Sequence, residues 1–248
     1  MTNEINKVYN NIIYKDKKLE EMFKYINNKK TNRGLEWYLE YNQVEKKCFG
    51  STKYDKNEDA KYIFINIFSN HIMEKSGNCN EKYRNLEKAV IIHELGEADY
   101  ILSNLPTIMV EKYSEMNDTI REDLSVIISH YHINELIKKY GLDEFINSQL
   151  TYKRNLKDYL SILKPWEIII EVCWALVTYP KFNYEVAELG LDLDASIIQA
   201  IDKIIKIIKN LDTFETKNIA IVEIEFAKII GILNEYGMEY KVNIISRR

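Results

Sequence analysis

The chain has 248 residues, carries a formal net charge of −4 with both signs interleaved, and holds three widely spaced cysteines, Cys48, Cys79 and Cys173. That length buries an ordinary core without covalent staples, and the cysteines make neither a disulfide framework nor a Cys-x-x-Cys metal knuckle. The charge balance leaves no basic stripe for nucleic acid, and no run approaches the roughly eighteen apolar residues that a membrane span needs.

In chain order, residues 3–29 read as an amphipathic helix, with Ile5, Val8, Ile12, Leu19, Met22, Phe23 and Ile26 at rough helical spacing and Gly34 beyond its end. A β-like region follows. Leu35, Trp37, Leu39 and Tyr41 alternate with Glu36, Tyr38 and Glu40, the period of a half-buried strand, and Lys61 to Phe68 is apolar enough to be buried on both faces. A strand over Cys48 to Lys53, with turn residues at Gly50-Ser51 and from Asp55 to Asp59, completes a small antiparallel sheet.

Asn80 to about Ser103 reads as a helix stopped by Asn104-Leu105-Pro106, because the residue before a proline is pushed out of helical geometry. Thr119 followed by Glu122 is a capping box opening a helix to Tyr140-Gly141. Pro165 at a first-turn position starts a helix through Tyr179, which Pro180 ends. Helices over about Ala195 to Asn210 and Lys217 to Glu235 follow, and then a short strand from Tyr240 to Ile245. The predicted class is α+β and mainly helical, with the small sheet packed on the helix of residues 80–103. Residues 1–141 form the α+β region and 142–248 a helical region packed on it. The N-terminal residues lack a charged-then-apolar-then-small leader pattern, so the expectation is a cytoplasmic protein without membrane or nucleic-acid partners.

The chemistry concentrates at His93-Glu94-Leu95-Gly96-Glu97. His93 and Glu97 are four residues apart, so on a helix they project from one face one turn apart, the spacing that lets two side chains share a metal ion. Glu94 stands about 100° around the axis, placed to reach a metal-bound water rather than the ion. Ile91, Leu95, Ala98 and Leu102 form an apolar stripe, and Val90 and Ile92 are apolar too, so the turn before His93 is expected to be buried all round. The stretch from Ala89 to Asp99 resembles the active-site helix of the zincin metallopeptidases, whose usual form is His-Glu-Leu-Gly-His. Here Glu97 replaces the second histidine. The resemblance implies a sheet leading through its last strand, Lys61 to Phe68, into the metal-bearing helix. It also implies a divalent metal, zinc by analogy, and peptide or amide hydrolysis with Glu94 as the general base. Glu97 adds charge and favours harder ions such as manganese or iron.

A catalytic zinc needs a third protein ligand. His130 shares a stripe with Val126, Ile133 and Ile137 and so faces inward, with Asp123 two turns earlier, whereas His132 is turned about 160° away towards the surface. Glu171 is the rival: it interrupts an otherwise apolar run from Ile168 to Val177, and a downstream glutamate is what the resemblance implies. Glu167, one turn earlier, allows the other reading, a solvent-facing stripe. Tyr100, seven residues after His93, is a candidate oxyanion donor, and the resemblance makes His71, expected in the loop after the Lys61 to Phe68 strand, a candidate to line the cleft. The expected partner is a peptide or protein, as substrate or as binding partner. Three functions compete: a metal-dependent hydrolase, a zincin-like scaffold that Glu97 has made inactive, and a helical interaction protein in which the motif is coincidental.

Overall fold

The computed structural model describes residues 3–44, 48–56, 61–77, 79–110, 118–143, 156, 160–211, 219–239 and 242–245. The chain divides into two compact units, Met1–Ser103 with Glu135–Leu150, and Asn104–Asn134 with Thr151–Arg248. The class is α+β with helix dominating.

In the first unit, α1 (Ile5–Val8) runs into a π-helical stretch, Tyr9–Ile13, and α2 (Lys17–Asn32) starts afresh. The single helix expected here is therefore broken. The wider π turn shifts the phase so that Ile13, fully buried, and not the half-buried Ile12 faces the core. The restart belongs to Asp16, whose carboxylate accepts from the backbone N–H groups of Lys18 and Leu19 at 3.0 and 3.2 Å.

Three strands follow: β1 (Glu36–Asn42), β2 (Gly50–Lys56) and β3 (Lys61–Phe68). They lie in the order β1-β3-β2, with β1 parallel to β3 and β2 antiparallel to it. The sheet is thus mixed, not antiparallel throughout. Periodicity fixes which face a strand buries but carries no information on the direction of its neighbour. Gly50 and Asp55 are paired inside β2 and not at turns. Nor is β3 buried on both faces. Ile63, Ile65 and Ile67 enter the core, while Tyr62, Phe64 and Asn66 are only half-buried. Phe64 is stacked on Tyr38 with ring centroids 4.9 Å apart and has the Lys53 ammonium 5.0 Å from its own centroid.

A short helix, α3 (Ser69–Ser76), separates β3 from α4 (Asn80–Leu102), where a loop was expected. His71 is therefore helical, 4.6 Å from the Phe49 ring by centroids and 3.6 Å from Glu74. α4 packs on β2 and β3, with α2 and α3 also against it. Its apolar residues are buried on every side, including Val90, Ile91, Ile92, Leu95, Ala98 and Leu102, so the turn before His93 is buried all round as the sequence indicates. The helix stops as expected before Pro106, with Asn104 in the left-handed region at φ 54°.

The second unit opens with β4 (Thr107–Val110), which pairs antiparallel with β5 (Val242–Ile245). Helix α5 (Asp118–Lys139) counts with this unit up to Asn134 and with the first unit after it. The expected Thr119 cap lies outside the described side chains. Next come α6 (Pro165–Thr178), α7 (Ala195–Lys209) and α8 (Ile219–Glu235). α6 begins as anticipated with proline in its first turn, and Glu167 accepts from the Lys164 backbone N–H at 2.8 Å. Glu167 is thus a cap and marks no outward stripe through Glu171, which is only 1% exposed. α6 packs against α7 and α8. No helix among the described residues is long and apolar enough to cross a membrane.

Candidate metal centre

The site begins with α4. His93 and Glu97 are both half-buried and project from one face, with His93 Nε2 and Glu97 Oε1 4.0 Å apart. A quarter of the His93 side chain reaches solvent, yet burial of the ring pushes its pKa down to about 4, so the imidazole is neutral at physiological pH. Neutral imidazole is the form that binds metal.

Glu94 faces a different neighbour. It is 4% exposed, and its Oε2 accepts from the Thr52 hydroxyl at 2.7 Å. The same hydroxyl lies 3.2 Å from the Glu94 backbone carbonyl. Gly50, two residues before Thr52 on β2, leaves room for the other oxygen, since a Cβ there would stand 2.5 Å from Glu94 Oε1. Burial, and next the charge of Glu97, push the Glu94 carboxyl well above the ordinary carboxylate range, and the Thr52 bond opposes them.

On α5, His130 is half-buried, and its Nδ1 lies 2.7 Å from Thr178 Oγ1 at the end of α6. His132 reverses the expectation, being fully buried with no exposure. The reason is that α5 has no broad outward face near it: Ile128, Tyr131, Ile133, Leu136 and Ile137 are all buried. Asp123, also 4% exposed, is buried two turns before His130.

Among the described residues, His93, Glu97 and His130 form one group able to hold a metal ion, each offering a ligand atom within 4.8 Å of the others. Ligand atoms on a tetrahedral zinc, about 2.1 Å from the ion, sit about 3.4 Å apart. The His93 and Glu97 atoms, 4.0 Å apart, are thus close to the required spacing. Two imidazoles and a carboxylate are a donor set known for catalytic zinc and for non-haem iron. Glu171 is not in the group; it is buried on α6 in the second unit. Tyr100 is 7% exposed, two turns along α4 from His93.

Three contributors went unseen in the sequence. Thr52 and Gly50 lie some forty residues from Glu94, and Thr178 lies 48 from His130. Nothing local marks any of them, apart from the helix-ending position of Thr178 ahead of Pro180. Asp99, fully buried on α4, pairs instead with Lys29, whose ammonium lies 2.7 Å from its Oδ1. In comparisons with known proteins, the chain matches no protein-family model, no curated protein and no solved structure.

Proposed function

We propose that the protein is a metal-dependent hydrolase of peptide or amide bonds, with His93, Glu97 and His130 as ligands and Glu94 as the proton-transfer group. The observation that carries this reading is the convergence of the three donor atoms at the helix that also bears Glu94, a carboxyl whose pKa burial raises. When bound, a divalent cation supplies carbonyl polarisation, a more acidic water, and positive charge that offsets Glu97 and draws Glu94 towards its working range. Glu94 then takes a proton from water and returns it to the leaving amine, the general base and acid role its high pKa suits. Thr52 and Gly50 hold its carboxyl in one orientation meanwhile. Tyr100, on the His93 face, is the candidate donor to the developing oxyanion. The resemblance of the α4 motif to zincin peptidases supports the reaction class. Zinc is the first metal to test, with manganese and iron next because of Glu97.

One observation favours a second reading, an inactive scaffold that binds a protein or peptide: Glu94 is seated firmly on β2, with one oxygen bonded to Thr52 and the other against Gly50. Two measurements separate the readings. Protein loaded with zinc, manganese or iron(II), dialysed, and counted by elemental mass spectrometry should retain about one ion, lost in His93→Ala, Glu97→Ala and His130→Ala. A peptide-library digest should show cleavage that falls about 100-fold or more in Glu94→Gln while the ion is kept. Retention without cleavage would select the scaffold, and no retention of any ion would dismiss both metal readings.

A further inference from the structure

The end of α6 meets α5 at two points. Thr178 Oγ1 lies 2.7 Å from His130 Nδ1, and one residue earlier the Val177 carbonyl accepts from the side-chain amide of the buried Asn134. His130 and Asn134 are one turn apart on α5, so consecutive residues of one helix end grip successive turns of the other. Asn134 fixes the spacing of the two helices, and Thr178 then addresses a single ring nitrogen.

That contact has a chemical consequence because the two imidazole nitrogens are not equivalent. In a neutral ring one carries the proton and the other the lone pair, and the hydrogen bond of the first decides which nitrogen is left to ligate. The Thr178 hydroxyl can accept from an Nδ1–H or donate to a bare Nδ1, so the direction of this bond and the tautomer of His130 are one question. An accepting Oγ1 requires a proton on Nδ1.

We propose that Thr178 is a positioning residue of the metal centre, which accepts a hydrogen bond from His130 Nδ1–H and thereby presents Nε2 as the ligating nitrogen. The inference rests on His130 being a ligand, as the functional reading has it. Thr178 touches neither ion nor substrate; it acts on the orientation and tautomer of His130. A threonine kept only to satisfy a polar ring would leave metal affinity indifferent to its hydroxyl.

The test uses the full chain and zinc alone. Ring ¹⁵N shifts of metal-free protein at neutral pH report the tautomer of His130, assigned by comparison with His130→Ala. Zinc affinity is measured against a competing chelator. The wild type should show the Nδ1–H tautomer. Thr178→Val, which keeps the shape and removes the acceptor, should mix the tautomers and weaken zinc about 10- to 100-fold. Thr178→Ser should restore both. Wild-type protein with the proton on Nε2, or equal zinc affinity in Thr178→Val and wild type while His130→Ala binds weakly, would overturn this inference and leave the ligand set standing. Undiminished zinc binding in His130→Ala would overturn the ligand set and the inference with it. Should Thr178→Val not fold, the wild-type tautomer and the Thr178→Ala affinity decide in the same directions.

Discussion

A Cβ on Gly50 would fall 2.5 Å from Glu94 Oε1, 2.8 Å from its Cδ and 2.9 Å from its Cγ. Glu94 is buried, so its carboxyl has little freedom to retreat. Gly50→Ala should therefore destabilise the protein by about 1–3 kcal/mol, the usual cost of overpacking. Shortening the opposing side chain should remove the clash, so in Glu94→Ala the added cost of Gly50→Ala should nearly vanish. Urea denaturation of the two single variants and the double variant measures this coupling; additive losses would show that Gly50 is not the seat of Glu94. This relation also marks what the sequence could not disclose. The spacing of His93, Glu94 and Glu97 was legible because a helix turns through a fixed angle per residue. Which strand residue would meet Glu94 was not, because it depends on how β2 registers on β3 and on how α4 lies across both. His132 was misread for a related reason: a helical wheel assumes one outward face, and near that residue α5 has none.

At the scale of elements, strand β1 could be read from its alternation, β3 from its apolar run and the end of α4 from Asn104-Leu105-Pro106. The break near Asp16 could not, since the apolar spacing continues across it and only the π turn absorbs the change of phase. Asp16 joins two roles there, capping α2 and pairing with Lys88 of α4. Burial alone would raise its pKa; the Lys88 hydrogen bond and the N–H groups of Leu19 and Lys18 outweigh that and hold it below the usual value. A carboxyl lowered by folding stabilises the protein above its unfolded pKa of about 3.9, and that contribution is lost as pH falls through the folded value. Asp16→Asn keeps a good cap and removes only the charge, so its stability deficit should be full near neutrality and fade below about pH 4. Asp16→Ala loses the cap as well and should cost about 0.5–2 kcal/mol, with a part that persists in acid. Denaturation curves between pH 3 and pH 7 read both; a deficit in Asp16→Asn that does not change with pH would contradict the pairing with Lys88.

At the scale of the whole molecule, residues 104–134 count with the C-terminal part and 135–150 with the N-terminal part. A reading that moves along the chain segment by segment has no means of expressing such interleaving. It does explain why His130 stood level with Glu171 as the third ligand on sequence grounds: each was one polar residue on an apolar helix, and only coordinates give a distance. The account as a whole rests on a shared cation. Its most direct test is an anomalous difference map at the zinc edge from crystals of zinc-loaded protein. The account predicts a single strong peak within about 2.0–2.2 Å of a His93 nitrogen, a Glu97 oxygen and His130 Nε2. Zinc-loaded crystals with no peak at these residues, or with an ion held by other groups and these three turned apart, would contradict it.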